Sequence, residues 1–337
     1  MASPDHFAWR EVLRRYPPDC RPIGEVEALG SAGGFSGSRL WRIASPRGML
    51  VLRAWPRDGF RWTTLDRINA WLRSAEALPF VPVPIRSSDG RTSIEAAGRA
   101  WSLTPWMPGE ADPIRPPSPD HIRAGFEGLA AFHRRFAPDV RSTSPGIADR
   151  LADLERWIGG DFARIRGLLR SVGSDPRSDL TRAWVERAMR KAPVLRGLLL
   201  SARDLAIPVQ PCLRDARPDH FLFDGGRLTG LIDFGAMGME TVAADLARLM
   251  GEWLGADLPA RALAEASYRA IRPLDDGEAR LIPAFEAANA VLGAGRWARW
   301  HFFEGRRFED PDAVAEGLRR CLRRMDEAER LAGPFRT

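Results

Sequence analysis

One stretch, residues 207–235, constrains this 337-residue chain more than any other. A short apolar run leads into a polar loop from Cys212 to His220, and a tight hairpin follows. Phe221-Leu-Phe223 and Leu228–Ile232 have the apolar content of paired strands, and Asp224-Gly-Gly-Arg227 between them has the chemistry of a reversing turn. This arrangement leaves one carboxylate in the loop, Asp215, and another just past the second strand, Asp233, where the two can converge in space. A pair of carboxylates facing one cleft suits metal-assisted phosphoryl transfer. One receives the proton of the attacking hydroxyl, and the other holds the divalent ion that bridges the phosphates.

Leu213-Arg-Asp-Ala-Arg-Pro-Asp-His220 resembles the catalytic loop of protein-kinase-like folds, H-R-D-x-x-x-x-N or H-G-D-x-x-x-x-N. Leu231-Ile-Asp-Phe-Gly235 resembles their metal-binding D-F-G. Together the two motifs are similar to those of the aminoglycoside phosphotransferase and choline kinase-like family. Leu213 stands where that loop begins with His, and His220 stands where it ends with the Asn that binds a second metal. The resemblance implies an α+β, protein-kinase-like bilobal fold with a small β-rich N-lobe and a mainly helical C-lobe. The lobes are expected at residues 1–105, binding nucleotide, and 106–337, holding the catalytic loop and the acceptor cleft. It implies transfer of the γ-phosphate of ATP to a hydroxyl of a small molecule. Asp215 is then the general base, Arg217 a γ-phosphate contact, and Asp233 the ligand of Mg2+ or Mn2+, with His220 as a second ligand. The departures at Leu213 and His220 leave open a pseudokinase of the same fold, acting as a nucleotide-binding or interaction module.

Residues 25–55 read as two strands joined through Gly30-Ser-Ala-Gly-Gly-Phe-Ser-Gly37, whose small residues let backbone N–H groups approach phosphates. Gly33, Gly34, Phe35, Ser36 and Gly37 are the candidates there. The resembling family grips the α- and β-phosphates with a Lys on the returning strand. Lys191 is the one lysine in this sequence, so Arg53 is the candidate cation. Asp66, or else Glu76, on the helix expected over 63–78 is the acid to pair with it. Thr104-Pro-Trp-Met-Pro-Gly109 resembles the hinge that meets adenine, which places Trp106 and Met107 in the nucleotide site.

Elsewhere the pattern is helical. Residues 1–24 begin with a helix read as peripheral, stopped by Pro17-Pro18. Residues 119–136 form an amphipathic helix with His133 on its apolar face, where a buried structural histidine is expected. Asp245, in a helix after the hairpin, reads as architectural. The aromatic run Arg296–Glu304 reads as packing or as a wall of the acceptor cleft.

Composition removes other classes. The hydrophobic content of 45% describes a globular chain, and no stretch is apolar enough to span a membrane. Three scattered cysteines build neither a disulfide framework nor a metal cluster. The net charge of +6 is spread along the chain, which argues against a nucleic-acid partner and fits an anionic one such as ATP. The expected setting is cytoplasmic.

Overall fold

Alternation of inward and outward residues builds the first sheet in the computed structural model, which describes residues 5–30, 37–57, 62–112, 117–137, 140–306 and 312–331. Strands β1 (Glu27–Gly30), β2 (Arg39–Ser45), β3 (Gly48–Ala54), β4 (Ile94–Ala96) and β5 (Arg99–Pro105) pair antiparallel in the order β1-β2-β3-β5-β4. Trp41 and Ile43 of β2, Leu50 and Leu52 of β3, and Trp101 and Leu103 of β5 face one core. Trp41 and Trp101 stack there at 5.2 Å between ring centres. Each such side chain contributes roughly 1.5–3 kcal/mol by leaving water. The register then turns Arg53 away from that core, because its neighbours Leu52 and Ala54 point into it.

Helix α1 (Asp5–Arg14) is not peripheral. Val12 and Leu13 of α1, then Tyr16 and Cys20 beyond it, are buried in the same core. Helix α2 (Trp62–Ser74) buries Leu65, Ile68 and Leu72, and its Asn69 donates to the Thr92 carbonyl at 3.1 Å. It runs from Trp62 to Ser74, shorter at its end than the helix expected over 63–78.

The chain divides into two units, residues 1–112 with 220–235, and residues 113–219 with 236–337, where the sequence suggested one division after residue 105. The 220–235 hairpin thus counts with the first unit. Its strands, Phe221–Asp224 and Arg227–Leu231, pair with each other, and Leu222 and Phe223 pair with Ala111 and Glu110. The segment expected as a hinge packs on this hairpin. A side chain at Gly230 would meet the Met107 Cβ at 2.7 Å, and Thr229 Oγ1 donates to the Pro108 carbonyl at 2.7 Å.

The second unit is mainly helical: α3 (Pro119–Arg134), α4 (Pro145–Arg156), α5 (Phe162–Ser171), α6 (Pro176–Arg203), α7 (Val242–Trp253), α8 (Leu258–Ile271), α9 (Asp276–Ala298) and α10 (Ala313–Arg330). Ser118, Ser144, Asp175, Thr241, Asp257 and Asp275 cap six of these by accepting N–H groups of the first turn. Trp157 and Trp184 meet edge to face at 4.9 Å in a core shared by α4, α5, α6 and α9. Arg299–Phe303 of the aromatic run winds as a π-helical turn, and its residues are half-buried, Phe303 stacking on Trp157. No described helix is long and apolar enough to cross a membrane, and Cys20, Cys212 and Cys321 are free thiols.

Gly109 has φ +96°, and a Cβ there would lie 2.6 Å from the Phe223 carbonyl oxygen and against Thr229 Oγ1. Gly109→Ala is expected to lower unfolding stability by about 1–3 kcal/mol, read from the urea midpoint.

Candidate active site

In the first unit the hairpin brings two of the sequence-predicted residues, His220 and Asp233, to a third, Arg53 of β3. The Ile232 N–H donates to the His220 carbonyl at 2.9 Å and closes the ladder beyond the strands. The next residue, Asp233, turns into the left-handed region with φ +59°. Asp tolerates that conformation better than most side chains, though at a cost. Its Oδ1 accepts from Arg53 Nη1 at 2.9 Å, and its Oδ2 lies 3.7 Å from His220 Nε2. Desolvation would raise the Asp233 carboxyl, but the Arg53 guanidinium and then His220 override it and hold the group below the usual carboxylate range.

Arg53 is fixed on its other sides. Its Nε donates to Ser38 Oγ at 3.3 Å, and its guanidinium lies over the Trp55 ring at 4.1 Å. A side chain at Gly235 would meet Trp55 at 3.2 Å and Asp233 Oδ1 at 3.4 Å, so this corner is tight. The carboxylate expected to pair with Arg53 was Asp66, yet the partner is Asp233. Asp66 accepts from Ser93 Oγ at 2.5 Å instead. The helix pattern predicted α2 but carried no information on where strand β3 aims Arg53.

Among the other predicted nucleotide contacts, Gly37 has φ +78° with open space around it. Gly33, Gly34, Phe35 and Ser36 lie outside the described residues. Trp106 presents a partly exposed ring with Arg42 at 5.2 Å over it, whereas Met107 is buried against the hairpin.

In the second unit the loop around Asp215 is held from behind. Strand Gln210–Cys212 pairs with Gly238–Glu240, and the chain then turns at Arg214, whose φ is +63°. The fully buried Asp245 accepts the N–H of Leu213 and of Arg214, each at 2.7 Å. It also takes a hydrogen bond from His133 Nε2 at 3.0 Å, while His133 Nδ1 lies 2.8 Å from the Tyr268 hydroxyl. His133 is therefore the buried structural histidine expected. His133, Cys212 and Asp245 lie close enough to suggest a metal cluster. Both Asp245 oxygens and both imidazole nitrogens are already hydrogen-bonded, and the Cys212 thiol contacts the Glu240 carbonyl at 3.3 Å, so protein contacts close this set.

Asp215 itself meets a residue that the sequence reading missed. Arg248 Nη2 donates to Asp215 Oδ1 at 3.1 Å, and Arg248 Nη1 pairs with Glu252 at 2.9 Å. Arg324 holds the same Glu252 oxygen at 2.9 Å. Asp245, Arg248 and Glu252 are spaced three and seven residues along α7, hence on one face. The signal was present as charges at helical spacing within an otherwise apolar helix. Arg217 is engaged as well, its Nε and Nη2 on the two oxygens of Asp219 at 2.9 and 2.5 Å.

The sequence matches the model of the family described as the phosphotransferase enzyme family over residues 27–303. A homoserine kinase from Polaromonas naphthalenivorans is 33% identical over 294 residues, 80% of this chain and 80% of that protein. A homoserine kinase from Brucella anthropi is 28% identical over 225 residues, which is 62% of this chain but only 60% of that protein's length. The crystal structure of a spectinomycin phosphotransferase in complex with ADP and spectinomycin superposes with a TM-score of 0.64 at 10% identity. That comparison covers 95% of this chain and 97% of the other, and it is a likeness of fold alone.

Desolvation is the largest influence on His133 and pushes its pKa below 6.5, against the opposing pull of Asp245. The unfolded chain therefore binds a proton more readily than the native one, and stability falls as pH drops through about 6.5. Midpoints of urea unfolding between neutral and mildly acidic pH are expected to decline in the wild type. The slope is expected to be shallower in His133→Gln, whatever that variant's absolute stability.

Proposed function

The chain belongs to the phosphotransferase enzyme family, and we propose that it transfers the γ-phosphate of ATP to a hydroxyl of a small molecule. The observation that carries this reading is the convergence of Arg53, His220 and Asp233 at the end of the hairpin. In the second unit, by itself, the loop acid Asp215 follows a backbone turn that Asp245 fixes. The residues divide the work by chemistry. Arg53 and the backbone around Gly37 neutralise phosphate oxygens. Residues 1–105 form the lobe that serves nucleotide binding, and Trp106 and Met107 just beyond it meet the adenine. Asp215 orients the acceptor hydroxyl and takes up its proton, and Arg217 offers the phosphate the guanidinium edge left free by Asp219. Catalysis of this kind rests on positioning and charge stabilisation.

The donor set fits a divalent ion. Asp233 supplies a hard oxygen suited to Mg2+, and the imidazole nitrogen 3.7 Å from it adds a ligand that Mn2+ accepts more readily. A bound ion supplies charge neutralisation across the phosphates. The ADP held by the spectinomycin phosphotransferase of like fold supports a nucleotide here. Its antibiotic, and the homoserine named for the relatives, support a small hydroxyl acceptor in a cytoplasmic setting where ATP is made. A second reading, a nucleotide-binding module with little turnover, is favoured by His220 at the position of the metal-binding Asn.

Asp215→Asn is expected to lower turnover about 10²–10⁴-fold while leaving nucleotide affinity intact, read from steady-state kinetics beside calorimetric titration of ADP. Asp233→Ala is expected to abolish the thermal shift that ATP produces with Mg2+ or Mn2+ and not in EDTA. An ATP shift indifferent to both EDTA and that substitution would establish the low-turnover module instead.

A further inference from the structure

Arginines drawn into the second unit hold carboxylates as a rule. Arg248 has Asp215 and Glu252, Arg261 has Glu286, Arg272 has Glu278, and Arg324 has Glu252. Arg150 on α4 departs from that rule. Its Nη1 donates to the Gly146 carbonyl at 3.1 Å, its Nη2 donates to Asn289 Oδ1 at 3.0 Å, and its guanidinium lies 4.6 Å over the Phe285 ring. All three partners are neutral, and among the described residues Arg150 makes no ion pair. The nearest acid by charge, Glu240, is already taken, accepting from Ser144 Oγ at 2.6 Å, from the Gly146 N–H at 2.5 Å and from the Thr241 N–H at 2.8 Å. Desolvation pushes the Arg150 guanidinium down to about 10. Glu240 and Asp149 oppose that shift, and the charges of Arg248 and Arg214 add to it. A partly buried cation bound only to neutral groups is costly unless something outside the protein completes it.

A second observation points the same way. Asn289 Nδ2 is buried and has no hydrogen-bond partner among the described residues. It shares its amide with the oxygen that receives Arg150, so the unmet N–H donor lies beside a cation that has no counter-ion. The pair also adjoins the loop of Asp215. Asp149, the residue before Arg150, lies 3.4 Å from Arg214, the residue before Asp215. Arg248, one of the charges felt by Arg150, holds Asp215 directly.

We propose that Arg150 and Asn289 form an anion subsite, and that the acceptor phosphorylated at Asp215 carries a carboxylate that binds there. The inference rests on the phosphotransfer reading above and names its acceptor class, a hydroxy acid or hydroxy amino acid. One guanidinium beside one amide matches two carboxylate oxygens.

The test uses the full chain and matched pairs of probes, 3-hydroxypropionate with 3-hydroxypropionamide and L-serine with L-serinamide, titrated by thermal shift at constant ionic strength. Both acids are expected to raise the unfolding midpoint where the amides do not. Arg150→Gln and, separately, Asn289→Leu are expected to weaken that response about 10–100-fold. Equal shifts with acid and amide, a response that survives both substitutions, inorganic phosphate acting where the acids do not, or no response to either acid up to tens of millimolar would each overturn the subsite. ADP with Mg2+ is titrated against the same proteins. A wild type that ignores ADP counts against the phosphotransfer reading and leaves the acid–amide difference to judge the subsite by itself.

Discussion

The Asp245 carboxylate is the interaction on which the loop of Asp215 depends. It accepts two consecutive backbone N–H groups at the point where Arg214 adopts a left-handed conformation that a non-glycine residue enters only at a cost of about 1–3 kcal/mol. Those hydrogen bonds offset the strain. His133 and Tyr268 in turn hold the carboxylate in place, so α3, α7 and α8 all contribute to one loop. The leading residue of that loop is Leu213, which is buried and apolar. It offers no side-chain hydrogen bond, and the loop's order here comes from its backbone.

An arginine in place of a lysine shapes the first unit in a comparable way. A lysine ammonium would meet Asp233 as a point charge. Arg53 instead spreads its contacts over Asp233, Ser38 and the Trp55 ring, with Gly235 leaving room for all of them. The planar guanidinium is thus held in one orientation. In the second unit arginine–carboxylate pairs likewise tie α7 to α10 and α8 to α9.

Legibility in the sequence followed the range of each interaction. The hairpin, the two acids and the amphipathic helices depend on neighbours within a few residues, and they were read directly. The burial of His133 followed from helical spacing alone. What escaped was non-local. The pairing of Arg53 with Asp233 joins residues 180 positions apart, and nothing near Arg53 marks Asp233 rather than Asp66 as its partner. Helix α1 looked peripheral because its apolar face is short, and only the sheet shows that Val12 and Leu13 help fill that core. The grasp of Arg248 on Asp215 needed the phase of α7 relative to a loop 33 residues upstream.

That phase sets how this chain tolerates changes of length. Asp245 holds the loop's backbone and Arg248 holds its side-chain acid, from one face of a single α-helix. One residue added between them would rotate Arg248 by about 100° and lift it by about 1.5 Å, parting the two grips. One residue added at the Gly225-Gly226 turn would only lengthen an exposed reversal. The hairpin turn can therefore change its reach without parting either grip, while the interval from Asp245 to Arg248 is held fixed by helix geometry.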